Sequence, residues 1–200
     1  MTERKTDKKK ERFKVKTSPV PFTIGEVKED FIITTNTSSK PSKEEIINQA
    51  LNFHSKGNIQ EAAKYYQIFI NQGFNDHRVF CNYGLILNIQ GKLEEAEKSL
   101  RKAIELKSNF AEAHSNLGNI LRSLGKLEEA EIFQRKAIEL KPSLADAHYN
   151  LGNILRDLGE SKKAELSYRK AIEINPELAE AHYNLGNILR DLAKLKEAEL

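Results

Sequence analysis

The sequence predicts an all-α protein in which helical hairpins stack into a solenoid. Two observations predict this fold: the chain repeats itself every 34 residues, and each period carries two apolar stripes with helical spacing. Composition is a third: 39% of the residues are hydrophobic and 30% charged, with one Met and no Trp. A chain so poor in large core-filling side chains favours a thin stack, in which each repeat covers its neighbour, over a globule.

Residues 1–40 are predicted to form a basic, mostly disordered tail and linker. Residues 1–16 carry eight Lys or Arg against three Asp or Glu, whereas the whole chain has a net charge of only +3. Prolines, Ser and Thr dominate the rest of the tail, leaving too little apolar surface to offset the entropy of ordering it. Because its only interleaved aromatic near the basic run is Phe13, specific nucleic-acid binding is not expected.

The repeat array is predicted to occupy residues 41–200. Ser42 followed by Glu45 forms a capping-box pattern, and an apolar run with helical spacing comes directly after it. Glycines recur at one position of the period: Gly57, Gly91, Gly125 and Gly159. The predicted repeats are about 43–76, 77–110, 111–144 and 145–178, with an incomplete fifth at 179–200.

Each period is predicted to be a helix, a tight turn, a second helix and a stop. The first stripe of the third period is Leu117, Ile120, Leu121 and Leu124, and the second is Leu127, Ala130, Phe133, Ala137 and Ile138. Gly125, between them, suits a left-handed turn, and Pro142 cannot continue the second helix. One such hairpin cannot cover its own apolar faces, so neighbouring repeats must stack.

These residues resemble the tetratricopeptide repeat, whose pattern in the fourth period reads His148, Leu151-Gly152, Leu155, Ala164, Tyr168 and Pro176. The match weakens upstream, where the first repeat looks like a degenerate N-terminal cap. The resemblance covers residues 43–200 and implies a right-handed superhelix whose first helices line a concave groove that binds peptides or proteins. His114, His148 and His182 replace the expected aromatic residue, and Gln134 replaces a second one, so slightly weaker packing is expected.

Asparagine recurs on the first helix of the repeats. It precedes the Leu-Gly position as Asn48, Asn82, Asn116, Asn150 and Asn184, and a second row follows at Asn119, Asn153 and Asn187. One carboxamide can accept from a peptide N–H and donate to a peptide C=O. This arrangement is similar to the asparagine ladder in the repeat arm of O-linked N-acetylglucosamine transferases, and the resemblance implies that Asn82, Asn116, Asn150 and Asn184 hold an extended peptide. Bonding to the backbone of the neighbouring repeat, or tolerance of water in the groove, stays open as the alternative.

Charged and aromatic residues accompany the asparagines: Arg122, Arg156 and Arg190, followed by Ser123, Asp157 and Asp191, together with Tyr149 and Tyr183. An edge of this kind could select acidic or aromatic side chains, although exposed helix charges are commonly just solvated. The candidate peptide-binding residues beside the two asparagine rows are therefore Arg156, Asp157, Arg190 and Asp191. The lysine-rich carboxylate clamp of chaperone-binding tetratricopeptide domains is not recognisable.

No catalytic, cofactor-binding or metal-binding residue is predicted. His114, His148 and His182 would lie about 10 Å apart on stacked repeats, too far to share one zinc ion. The glycines follow no strand, so neither a dinucleotide fingerprint nor a phosphate loop is supported. Cys81 has no evident base partner in its repeat and is expected to be a buried thiol.

Two functions of different classes fit the sequence: a scaffold that acts by binding a protein or peptide partner, or the substrate-presenting arm of a larger enzyme such as a glycosyltransferase. The fifth repeat stops at Leu200, which predicts a fragment of a longer chain. A lone cysteine and the lack of 18 consecutive apolar residues predict a cytoplasmic protein without a membrane partner. The sequence does not specify an oligomeric state.

Overall fold

A computed structural model describes the backbone of residues 41–198 and the side chains of residues 41–193. That part of the chain consists of nine α-helices and contains no strand, which confirms the predicted all-α class. The helices are α1 (Lys43–Ser55), α2 (Ile59–Asn71), α3 (His77–Ile89), α4 (Leu93–Leu106), α5 (Ala111–Ser123), α6 (Leu127–Leu140), α7 (Ala145–Asp157), α8 (Ser161–Ile174) and α9 (Ala179–Ala198). The tail predicted for residues 1–40 lies outside the described residues.

The helices form hairpins that stack on one another. α1 packs on α2, α3 on α4, α5 on α6 and α7 on α8, and each hairpin also packs on the next. Ser42 caps α1 with the predicted capping box: its hydroxyl accepts from the backbone N–H of Glu45, whose carboxylate accepts from the backbone N–H of Ser42. The turn glycines are left-handed as predicted, with a φ of 76° at Gly125 and 80° at Gly159.

The apolar core runs between the two helices of each hairpin. Leu117, Ile120 and Leu121 of the first predicted stripe are buried, and so are Ala130 and Ala137 of the second. Gln134, expected to weaken the packing, is itself fully buried, at 0% exposure. The buried Gln134 side chain forms hydrogen bonds inside the hairpin.

Helix α9 departs from the pattern of the earlier first helices. It spans 20 residues without a break, through the position where the preceding repeats carry their turn glycine. Ala193 stands there in place of glycine. A left-handed Ala costs roughly 1–2 kcal/mol, and Ala is the strongest helix former, so the helix continues.

None of the helices in the described part of the chain is both long enough and apolar enough to cross a bilayer.

Candidate functional site

The first asparagine row lies where the first helices of neighbouring repeats meet, α3 beside α5 and α5 beside α7. Asn82, Asn116, Asn150 and Asn184 occupy equivalent places on these helices and are only 1%, 5%, 5% and 9% exposed. These side chains are therefore buried rather than open to solvent. The reason is that residues of the preceding repeat cover them.

The amino groups of three of these asparagines contact side chains of the preceding repeat. Nδ2 of Asn82 donates to the hydroxyl of Tyr66 at 3.5 Å, and Nδ2 of Asn116 lies 3.6 Å from Sγ of Cys81. Nδ2 of Asn184 donates to the hydroxyl of Tyr149 at 3.3 Å and to Oδ1 of Asn153 at 2.9 Å.

These asparagines thus bond to side chains of the neighbouring repeat, and not to its backbone as the alternative supposed. Asn184 thereby uses both of its N–H groups, whereas Asn82 and Asn116 each use one of two, so the oxygen is the end that stays wholly unpaired among the described residues in all three. Asn150 makes no hydrogen bond within the described residues, so both of its ends are available.

In the second asparagine row the side-chain oxygen, rather than the amino group, is the hydrogen-bonded end. Nε2 of Gln134 donates to the carbonyl of Ser115 at 2.9 Å and to Oδ1 of Asn119 at 3.1 Å. Because a backbone carbonyl only accepts, this contact assigns which end of Gln134 is the amino group, and Asn119 must present its oxygen. Nδ2 of Asn119 is left without a partner among the described residues.

The next repeat follows the same arrangement with a different donor. The hydroxyl of Tyr168 donates to Oδ1 of Asn153 at 2.9 Å. Burial raises the pKa of Tyr168 to about 12, so the phenol keeps its proton at neutral pH and remains a donor. In the fifth repeat Asn187 is half-buried, and its oxygen accepts from Nη2 of Arg190 at 3.2 Å.

The two rows therefore carry opposite polarity. We call Asn82, Asn116 and Asn184 the acceptor row, because their oxygens remain unpaired among the described residues. We call Asn119 and Asn153 the donor row. Their oxygens accept hydrogen bonds from the second helix of their own repeat, whereas their amino groups remain unpaired among the described residues. An extended peptide offers both N–H and C=O groups, so two rows of opposite polarity are chemically suited to its backbone.

Charged residues lie three positions after the donor row on the same helices. Nε of Arg122 is 2.6 Å from Oδ2 of Asp157, and Nη2 of Arg156 is 3.4 Å from Oδ1 of the same carboxylate. Arg190 and Asp191 are 3.9 Å apart and more exposed. Tyr149 is half-buried, whereas Tyr183 is 72% exposed.

The histidines have a bonding role that the sequence analysis missed. Nε2 of His114, His148 and His182 lies 2.8, 3.0 and 2.8 Å from the carbonyl oxygens of Ser108, Pro142 and Pro176. Each ring thus ties the first helix of a repeat to the turn that precedes it. The available signal was a constant spacing of six residues between the histidine and the carbonyl.

The part of the chain that the structure describes brings together no three His, Cys, Asp or Glu side chains that could hold a metal ion. Cys81 is buried, as expected, and burial raises the pKa of its thiol to about 12. Asn116 therefore faces a protonated sulfur at neutral pH.

Comparisons with known proteins agree with this architecture. The family model for the TPR repeat matches residues 84–125, 118–159 and 152–192, which together cover more than half of the chain. Comparison with curated protein sequences returns no match.

Among solved structures, the chain is similar to the MamA protein, with 26% identity and a TM-score of 0.68 over 78% of this chain and 85% of that one. It is also similar to YrrB, described as a TPR protein with an unusual peptide-binding site, with 26% identity and a TM-score of 0.65 over 72% of this chain and 74% of that one. The first TPR of Spaghetti (RPAP3), bound to an HSP90 peptide, is 25% identical with a TM-score of 0.57 over 58% of this chain and 93% of that one. None of these matches supports the resemblance to the arm of O-linked N-acetylglucosamine transferases.

Proposed function

This chain belongs to the tetratricopeptide repeat family, and from that premise we propose that it is a protein-interaction scaffold that binds an extended peptide segment of a partner along α3, α5, α7 and α9. The observation that carries the proposal is the opposite polarity of the acceptor and donor rows. The binding residues are the asparagines of both rows with Asn150 and Asn187, flanked by Arg156, Asp157, Arg190 and Asp191.

Polar groups that lack a hydrogen-bond partner and are largely shielded from water favour a ligand that can bond to them. Oδ1 of Asn82 and Nδ2 of Asn119 are both buried without a partner in the described structure. A buried polar atom without a hydrogen bond costs about 1–3 kcal/mol, so a peptide backbone that gains access to these two atoms when the side chains over them shift would recover that free energy. Asn150 has both ends available and can pair with a whole peptide bond.

A peptide or protein partner also agrees with what is printed of the similar proteins. YrrB is described as having a peptide-binding site, and the RPAP3 repeat was solved with a bound peptide. On this basis we propose a protein partner rather than a nucleic acid or a membrane, and a scaffold that acts by binding alone. The unpaired thiol of Cys81 supports the reducing, cytoplasmic location proposed from the sequence.

The test is a selection from a displayed library of random ten-residue peptides, followed by calorimetry with the recovered peptides. Asn116→Ala combined with Asn150→Ala should weaken their binding by roughly 1–3 kcal/mol while helicity is retained. Asn109→Ala, in the exposed turn before α5, is the matched control and should leave affinity unchanged.

Two results would contradict the proposal at different levels. Unchanged affinity in the double variant, with normal helicity, would remove the asparagines from the binding surface. Recovery of no peptide above background by the unmodified protein would reject peptide binding itself.

A further inference from the structure

The first helices of the first two repeats differ from the later ones in charge. Residues 46–55 of α1 and 79–89 of α3 include no Lys, Arg, Asp or Glu, whereas α5, α7 and α9 carry an arginine at one shared position. The corresponding residues of α1 and α3 are His54 and Asn88. Burial lowers the pKa of His54 below its ordinary value of 6.5, so its ring is neutral at pH 7.5. The proposed binding surface is therefore uncharged along these two helices.

Aliphatic side chains replace the second asparagine row at this end of the array. Leu51 and Leu85 occupy the positions that Asn119, Asn153 and Asn187 occupy in the later repeats. Leu85 is 3% exposed, whereas Leu51 is half-buried. Because a leucine side chain has no hydrogen-bonding group, the second row of amides ends at α5 and an apolar surface continues from it.

Ile89 extends this apolar surface towards solvent. It lies four residues after Leu85, on the same face of α3, and is 64% exposed. The other four repeats have polar residues at its position: Ser55, Ser123, Asp157 and Asp191. Packing does not account for Ile89, since most of it lies in water, and a β-branched residue is a poorer helix former than Leu or Ala.

We propose that Leu51, Leu85 and Ile89, which we call the aliphatic strip, bind an apolar side chain near one end of the partner peptide, with Ile89 as the main contact. The inference rests on the proposed peptide-binding function and adds the chemistry of the ligand to it. The asparagine rows can bond to a peptide backbone of any sequence, because every peptide bond other than one at proline offers the same groups. The aliphatic strip adds a preference for one side chain.

An apolar side chain is the ligand group that gains free energy on the aliphatic strip. Covering Ile89 removes apolar surface of both partners from water, and the gain is proportional to the area covered. A charged ligand side chain would lose water at this place without gaining an opposite charge, since residues 46–55 and 79–89 supply none.

The aliphatic strip is continuous with the asparagines proposed to hold the peptide backbone. Asn82 and Leu85 are three residues apart on α3, as Asn116 and Asn119 are on α5, so each pair shares a helix face. Neighbouring first helices lie about 10 Å apart, and an extended peptide advances about 3.3 Å per residue. The apolar side chain should therefore lie about three residues from the peptide bonds that pair with α5.

The experiment uses the displayed library of random ten-residue peptides and reads the frequency of Leu, Ile, Val, Met and Phe relative to the input. The unmodified protein should enrich these residues at one position of the recovered peptides. Ile89→Ser, which introduces the residue type of the first and third repeats, should lower that enrichment roughly threefold. Ile132→Ser is the matched control and should leave the enrichment unchanged, because Ile132 is equally exposed, at 65%, but lies on the second helix α6.

Calorimetry then tests whether the enriched side chain contacts Ile89 itself. Replacing that residue of a recovered peptide by Ser should weaken binding to the unmodified protein roughly fivefold, and binding to Ile89→Ser less than about twofold, because the contact is already lost. Ile89→Leu keeps an aliphatic side chain and should retain the preference. Thermal denaturation checks that every variant is folded.

The outcomes separate the aliphatic strip from the scaffold function. An absence of apolar preference, a preference that persists in Ile89→Ser, or an equal loss in Ile132→Ser would overturn the strip and leave the scaffold function standing. A dimer that sedimentation shows to dissociate in Ile89→Ser would also overturn it, because a second copy would then cover Ile89. Recovery of no peptide by the unmodified protein would overturn the scaffold function and the strip together.

Discussion

The ring of Tyr168 lies directly against Gly152, so close that a Cβ atom on Gly152 would stand 2.6 Å from Cε1 of the tyrosine. Tyr168 is fully buried, and its hydroxyl is held by Asn153, so the ring has little freedom to move away. The missing side chain at Gly152 is what lets the second helix of the repeat approach the first. That approach in turn brings the hydroxyl within bonding distance of the donor row.

Gly152→Ala should therefore destabilise the array. Overpacking of this kind costs roughly 1–3 kcal/mol, and the better helix propensity of Ala returns at most about 1 kcal/mol of it. Gly186→Ala is the matched control: it is the same position of the fifth repeat, and a Cβ there meets nothing within 4 Å in the described structure. Urea unfolding of both variants would contradict this packing if the two lost equal stability.

The histidine ties predict a tautomer. Because a carbonyl oxygen only accepts, the neutral rings of His114, His148 and His182 should carry their proton on Nε2. Long-range proton–nitrogen correlation spectra at pH 8 would show this directly. His148→Phe, which keeps an aromatic ring but loses the bond to Pro142, should cost about 1 kcal/mol. Rings protonated on Nδ1 would mean that the ties do not exist in solution.

The sequence predicted the helices and turns because those features are local. The stripe of Leu117, Ile120 and Leu121 and the left-handed Gly125 are each specified within one repeat. The direction of each asparagine amide could not be predicted, because it depends on partners elsewhere in the chain. Asn116, for example, points its amino group at Cys81, which lies 35 residues earlier.

A pH dependence follows from two half-buried histidines of the first two repeats, His54 and His77. Burial lowers the pKa of His54, whose Nδ1 lies 3.2 Å from the hydroxyl of Tyr66. Burial also lowers the pKa of His77, an effect that the nearby Asp76 opposes and that Lys107 and Arg78 reinforce.

The folded state thus prefers both rings neutral, whereas the unfolded chain takes up protons near the ordinary value of 6.5. Stability should be complete above that value and should fall as the pH drops from 7.5 towards 5.5.

Urea unfolding at three pH values would measure this slope, and His54→Gln combined with His77→Gln should flatten it. The window stays above the range of the carboxyl groups whose pKa is also lowered, such as Glu97 and Glu112, which have an ordinary value of 4.5. Stability that rises between pH 7.5 and 5.5 in the unmodified protein would contradict the assignment.

Within the part of the chain that the structure describes, ion pairs between second helices join the second and third repeats but not the third and fourth. Nζ of Lys126 lies 2.9 Å from Oε2 of Glu97, and Nη2 of Arg101 lies 2.6 Å from Oε1 of Glu129. One period later the same positions carry like charges, Glu160 opposite Glu131 and Lys163 opposite Arg135. These side chains pair within their own hairpin instead, Arg135 with Glu131 and Lys163 with Glu160, each at 2.8 Å.

Exchanging two charges should therefore strengthen the boundary between the third and fourth repeats. Glu160→Lys together with Lys163→Glu leaves the net charge unchanged and gives both substituted side chains an opposite charge across the boundary. The gain expected is about 0.5–1 kcal/mol in low salt, and it should shrink in about 1 M NaCl because exposed pairs are screened.

A matched exchange, Lys136→Glu with Glu139→Lys, reverses an ion pair within α6 and should change stability by no more than about 0.3 kcal/mol. Equal effects of the two exchanges, or a gain that persists unchanged in high salt, would show that charge across this boundary does not limit the stacking of the repeats.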